Sequence, residues 1–121
     1  MRASQNADEK IAKLKFSSVY PHYVNKVVKK GRSADDLDAV IRWLLGYSQE
    51  ELELAKVDAR SFSELFDKAQ LPDGVPLITG VICGYRIENI ENSLTQNIRR
   101  LDKIVDELSK GKALEKIIRQ V

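Results

Sequence analysis

The chain of 121 residues has one cysteine, one histidine, one tryptophan and three prolines, and each scarcity removes a class of protein. A lone thiol, Cys83, has no internal disulfide partner, so nothing points to an oxidising compartment. With one imidazole and one thiol in all, a zinc site of the usual four-ligand kind is excluded within a monomer, and no metal or other cofactor is expected. Long apolar runs are lacking too. The longest uncharged one, Val75 to Tyr85, is interrupted by Pro76, Gly80 and Gly84, whereas a membrane-spanning helix needs about 20 apolar residues. Met1 to Phe16 contains no apolar core of the signal-peptide kind, so a cytoplasmic location is expected. No phosphate-cradling or dinucleotide-binding glycine motif occurs among the six glycines.

What remains is an ordinary globular composition, 43% hydrophobic and 31% charged, at a length that fits one domain. The net charge of +2 is unevenly spread: +6 over residues 1–33, −7 over 34–91 and +3 over 92–121. A basic N-terminal segment suits nucleic acid or an anionic surface. The simpler reading is that basic and acidic helices lie side by side in the fold.

Helix punctuation is the richest signal. Ser33 stands three residues before Asp36, apolar residues recur at Leu37, Val40, Ile41, Leu44 and Leu45, and Gly46 supplies a left-handed stop. Ser48 before Glu51 and Ser61 before Glu64 repeat this grammar for two shorter helices. Their unequal separations exclude a structural repeat. Upstream, Ser17 or Ser18 opens a helix carrying Tyr20, Val24, Val27 and Val28 on one face, with Pro21 in its first turn and Gly31 at its end. Leu71 to Pro76 is turn chemistry. Residues 77–87 match a helical stripe better than a strand, since Leu14 and Phe16 are the only other strand-like partners. A long helix runs from Asn92 or Ser93 to Ser109, and Leu114 to Val121 adds a final turn or two. The expectation is a mainly α, single compact domain over residues 10–121, of six or seven helices with room for a small two-stranded β element, preceded by a mobile tail at 1–9; α+β is the alternative.

Chemistry is sparser. Cys83 and His22 form the only thiol–imidazole combination, but a cysteine between Ile82 and Gly84 reads as a small buried side chain and His22 as an exposed helix residue. Asp35, Asp36 and Asp38 crowd a helix start, where they complement its dipole. Gly46 between two helices resembles a helix-turn-helix corner, yet the helix that would enter the groove carries Glu50, Glu51 and Glu53. If the first two complete helices pair antiparallel, Tyr20, Tyr23, Trp43 and Tyr47 converge, either as an aromatic minicore or as a ligand pocket. Arg86 is the cation placed to meet an anion beside an apolar segment. The candidate ligand-binding residues are therefore Tyr20, His22, Trp43, Tyr47, Cys83 and Arg86, with Gly80 and Gly84 sharing a face that something should approach closely.

The runs Phe16-Ser-Ser-Val-Tyr-Pro-His-Tyr-Val, Lys29-Lys-Gly-Arg, Trp43-Leu-Leu-Gly-Tyr, Leu77-Ile-Thr-Gly-Val-Ile-Cys-Gly and Gln96-Asn-Ile-Arg-Arg-Leu-Asp-Lys, in that order, resemble the bacterial family catalogued as domain of unknown function 2200. The resemblance covers Lys10 to Arg119. It implies no activity, cofactor or catalytic residue. The chain departs from the family pattern at Ser93, where a proline is expected, and at His22, where an aliphatic residue is expected. The functional reading is a binding or protein-interaction module with a protein partner or small ligand and no membrane. The alternatives are an enzyme or small-ligand binder using the aromatic, Cys83 and Arg86 region, and a nucleic-acid-binding protein using the N-terminal basic face, which the charge distribution disfavours. Self-association is compatible with the sequence.

Overall fold

The computed structural model describes residues 3–120. Five helices come first: α1 Ala3–Lys13, α2 Phe16–Val28, α3 Ala34–Leu45, α4 Gln49–Val57 and α5 Phe62–Asp67. A hairpin of β1 Val81–Ile82 and β2 Tyr85–Arg86 separates them from α6 Ser93–Ser109 and α7 Leu114–Ile117. The molecule is mainly α with a small β element, as its periodicities imply.

Three of the helix starts follow directly from serine chemistry. Ser33 Oγ accepts the Asp36 amide at 3.1 Å, and Ser48–Glu51 and Ser61–Glu64 are complete capping boxes, each serine accepting the acid's amide and each acid accepting the serine's. For α6 the cap is Asn92, whose Oδ1 accepts from the Thr95 amide at 2.9 Å. Ser93 thus occupies the first helical position, the one place in a helix where proline is favoured.

The start of α2 lies earlier than the sequence suggests and has no side-chain cap. Backbone pairing replaces it: Phe16 N–H donates to the Arg60 carbonyl at 3.2 Å and Phe62 N–H to the Leu14 carbonyl at 2.9 Å, around a Lys15–Ser61 bridge. Leu14 and Phe16 do flank strand-like pairing, but with the entry to α5. Pro21 accordingly sits inside α2, beyond its first turn.

α6 is the central element and packs against α1, α2, α3, α5, α7 and β1. Its Leu101, Ile104, Val105 and Leu108 are fully buried against Leu37, Ile41 and Leu44 of α3 and Phe16 and Val27 of α2. Phe62 meets Phe16 edge-on, which ties α5 to the same core.

Two expectations are corrected. Residues 1–9 read as a tail, yet α1 begins at Ala3; Ile11 packs against the core, and Asp8 accepts a hydrogen bond from Thr95 Oγ1 at 2.7 Å. So thin an apolar stripe is readable only once α5 and α6 are there to receive it. Met1 and Arg2 lie outside the described residues. Residues 77–87 read as a helix, but they end a 3-10 turn at Leu77 and then form the hairpin, with Val81 opposite Arg86 and Ile82 opposite Tyr85. Cys83 and Gly84 both have positive φ, 53° and 80°, as a type I′ turn requires.

The same turn corrects the packing expectation for the glycines. A Cβ on Gly84 would meet nothing within 4 Å, and one on Gly80 would touch only the end of the Lys103 side chain. Close approach occurs instead at Gly46, against the Gln70 carbonyl, and at Gly74, where a Cβ would collide with the carbonyl of Arg119. Gly74→Ala is therefore expected to lower the free energy of denaturant unfolding by about 1–3 kcal/mol, through backbone overlap alone. Gly84→Ala should cost about 1 kcal/mol from left-handed strain without any clash.

Candidate functional site

A groove of about 600 Å³ lies where α1, the hairpin and the start of α6 meet. Asp8 and Ile11 line one wall, Tyr85 and Arg86 another, and Thr95 and Arg99 the floor side on α6. The hairpin register fixes Tyr85 on the same face as Ile82. Ile82 is buried, so Tyr85 is drawn toward the molecule, yet it stays 50% exposed. The Arg99 guanidinium lies 4.8 Å from the Tyr85 ring centroid, a cation–π contact that fixes the ring.

Arg99 is itself held from behind. Its Nη1 meets Asp102 Oδ2 at 3.1 Å, and Asp102 Oδ1 accepts from the Tyr23 hydroxyl at 2.7 Å. Burial and the neighbouring Asp102 carboxylate push the Tyr23 phenol well above its usual range, so Tyr23 remains a donor. The buried Nε of Arg99 has no hydrogen-bond partner among the described residues. Arg86, on the open side, makes only a long contact of 3.6 Å with Glu88 among the described residues, and both side chains are about half exposed. Glu88 is engaged elsewhere: it accepts from the Gly80 amide at 2.9 Å, which holds its carboxyl below the usual range and anchors the hairpin base.

A second polar cluster joins α2, α3 and α4. Asp38, only 6% exposed, accepts from Tyr20 OH at 2.6 Å, from Lys56 Nζ at 2.7 Å and from Gln49 Nε2 at 3.2 Å. Lys56 also lies over the Tyr20 ring at 4.8 Å and bonds Glu53 at 2.8 Å. Burial opposes the Asp38 charge, but the hydrogen bonds from Lys56, Tyr20 and Gln49 outweigh it and hold the carboxyl below its ordinary range. Burial and the Asp38 bond push the Tyr20 phenol up to about 12. Asp38 and Tyr20 move away from neutrality in opposite directions, and the Lys56 ammonium is raised by its carboxylate partners. The cluster is a fixed ion pair with a neutral phenol, and not a proton-transfer device.

The six sequence-derived ligand residues do not form one pocket. Tyr20 belongs to the Asp38 cluster; Tyr47 is buried, its hydroxyl donating to the Leu65 carbonyl at 2.7 Å and accepting from Arg60 at 3.2 Å; Trp43 is half-buried against the core. Tyr23 turns to α6 instead. The three tyrosines are separated because each hydroxyl follows its own partner, Asp38, Asp102 and the Leu65 carbonyl. His22 is exposed on α2. Cys83 is exposed at the hairpin tip, contrary to the buried thiol expected from its apolar neighbours, because the turn holds it outside the core. No hydrogen bond joins Cys83 to His22 among the described residues. Of the six, Arg86 alone lines the groove. Tyr85, Arg99 and Asp8 were not singled out as ligand residues. The Cys-Gly pair between two β-branched and aromatic dipeptides was the available signal of the turn.

Residues 10–119 match the family described as an uncharacterised protein conserved in bacteria, DUF2200. The chain belongs to that family. This DUF2200 protein is also similar to the crystal structure of the uncharacterised protein SP1917, with 37% identity, a TM-score of 0.85 and 91% of each chain covered. No curated protein matches the DUF2200 protein significantly. The family and the solved structure are both described as uncharacterised, so function rests on the geometry above.

No helix in the described residues is long and apolar enough to cross a membrane. The Asp38 cluster generates a pH prediction. A carboxyl depressed on folding contributes stability that is fully present above its unfolded pKa of about 4 and is lost as pH falls through the folded value. Asp38→Asn should cost about 3 kcal/mol near pH 7, the low end for breaking a buried pair because Glu53 still faces Lys56. Denaturant midpoints of the variant and the parent should converge on acidification below about pH 4.

Proposed function

We infer that this protein is a binding module whose groove takes a small planar anionic ligand, an aromatic carboxylate being the simplest member of the class. The observation that carries this reading is the half-exposed Tyr85 ring, fixed on one side by Arg99, in a groove that Arg86 also lines with, among the described residues, only a long ion pair to Glu88. A ring left open in water and pre-positioned by a buried network is a stacking platform whose ordering cost is already met. The half-exposed guanidinium of Arg86, held only by its long contact to Glu88 among the described residues, offers the forked donors that suit a carboxylate or phosphate. Thr95 and Asp8 are tied to each other and shape the wall rather than grip a ligand.

A protein chain ending in an aromatic residue presents the same ring and carboxylate. This second source gives the protein-interaction form of the reading, and the test separates the two.

Chemical-shift mapping with a set of benzoate and indole carboxylate fragments should move the amides of residues 84–86, 89–92 and 95–99. Tyr85→Ala and Arg86→Ala change exposed side chains, so the variants should stay folded and each should bind about tenfold more weakly. A short peptide ending in phenylalanine, compared with its C-terminal amide, tests the protein form. Fragment shifts with no peptide binding assign a small ligand; peptide binding lost on amidation assigns a chain terminus. No shift at these amides with either probe, or shifts unchanged in both variants, overturns the reading.

A further inference from the structure

The two basic segments of the sequence, at its start and its end, meet at one end of the molecule. Lys26 near the end of α2 and Lys110 just beyond α6 share one carboxylate, that of Asp106, at 3.0 Å each. Arg32, after α2, donates to the carbonyls of Leu108 and Lys112 at 3.3 and 2.9 Å. These bonds lock the corner after α2 onto the corner after α6. Lys29 and Lys30 lie between Lys26 and Arg32, and both are exposed. Lys110 also lines an open recess of about 620 Å³ with Lys103, Lys112 and Lys116, around Asp106 and Glu107.

The basic α2 does lie beside the acidic α3 and α4, and Arg32 meets Asp36 at 3.4 Å. That pairing does not reach the whole segment. Lys26 is paired with Asp106 of α6, and Lys29 and Lys30 have no ion-pair partner among the described residues. Three acids at this end are already spent: Asp106 holds Lys26 and Lys110, Glu107, 9% exposed at its side chain, holds Arg119 and Lys112, and Asp36 meets Arg32, while Glu115 on α7 is exposed beside Lys116. Two helix C-termini also point here and would disfavour an anion, each by about half a charge. Arg32 and the lysines themselves offset that, since Arg32 bonds the α6 terminal carbonyls directly.

We propose that this lysine face binds the phosphate backbone of duplex nucleic acid without reading its sequence. The residue types select the partner. Protein interfaces are depleted in lysine and favour aromatic or arginine anchors, whereas Arg32 and Arg119 at this end are largely buried and already bonded within the protein. Single strands are held by stacking aromatics, also lacking here. Lysine point charges spread over an open surface match a row of phosphates, and with Arg32 and Arg119 engaged inside the protein no forked donor is left to read base edges. The groove at Tyr85 plays no part, so this proposal and the previous one stand or fall separately.

The test is fluorescence anisotropy with a labelled DNA duplex of two helical turns and the full chain. About four phosphate contacts give a log–log salt slope near −3.6, so affinity should fall roughly a hundredfold between about 50 and 200 mM salt. Two sequences of unrelated composition should bind alike. Lys29→Glu combined with Lys30→Glu should weaken binding at least tenfold and flatten the slope. The control carries the same charge change elsewhere, Lys10→Glu with Lys68→Glu, and should bind close to the parent. Circular dichroism of both variants establishes that they are folded. No binding at low salt, equal losses in both double variants, or binding to phosphatidylserine vesicles in place of the duplex would each overturn the proposal.

Discussion

One carboxylate organises the first half of this molecule. Asp38 is almost wholly removed from water, and a charge in that position is tolerated only when its hydrogen-bonding capacity is filled. It is filled by Tyr20 from α2 and by Gln49 and Lys56 from α4. Three helices are therefore brought to one point by a requirement that apolar packing does not impose. Hydrophobic burial would accept several rotations of α2 against α3; the Asp38 bonds accept one. The stability gained is modest by comparison with what misplacing any partner would cost, which is how a buried ion pair acts on specificity more than on affinity.

The second half is organised differently, around a helix and not a charge. α6 is apolar along the stripe that meets α2 and α3, and polar side chains flank that stripe on both sides. Toward its start Asp102 and Arg99 lead outward to Tyr85; toward its end Asp106 and Glu107 gather lysines and Arg119. The two candidate surfaces of the protein thus sit on opposite ends of a single rigid element. Each is supported by a carboxylate at the edge of the core that fixes a cation at the surface, so both are held in place by α6 and not by loop conformation.

Local chemistry made the helices legible. Ser33, Ser48 and Ser61 cap where their spacing to an acid says they should, and Gly46 ends α3 with φ of 70°. What the sequence could not show was tertiary in origin. The start of α2 depends on pairing with Arg60, far along the chain, and α1 depends on surfaces supplied by α5 and α6. The hairpin has strands of only two residues, too short for alternation to register, and a period of four fits it by accident. The groove was half visible: Arg86 was recognised from its place after an apolar segment, whereas Arg99 is one charge among several on an amphipathic helix and gains meaning only when Tyr85 lies under it. The aromatic cluster failed because ring positions along helices give no information about which polar atom each hydroxyl will find.

The bridge between Lys15 and Ser61 also has a temporal meaning. It closes a loop that contains α2, α3 and α4 entire, and joining the ends of a flexible segment that long costs roughly 3 kcal/mol in chain entropy. Two backbone hydrogen bonds return about 1 kcal/mol each, so the contact does not repay its own closure. It forms only after the three helices have condensed and shortened the gap. The entry of α2 and the entry of α5 are therefore a clasp fastened late in folding, and the same arithmetic makes it among the first contacts released when the first half of the domain loosens.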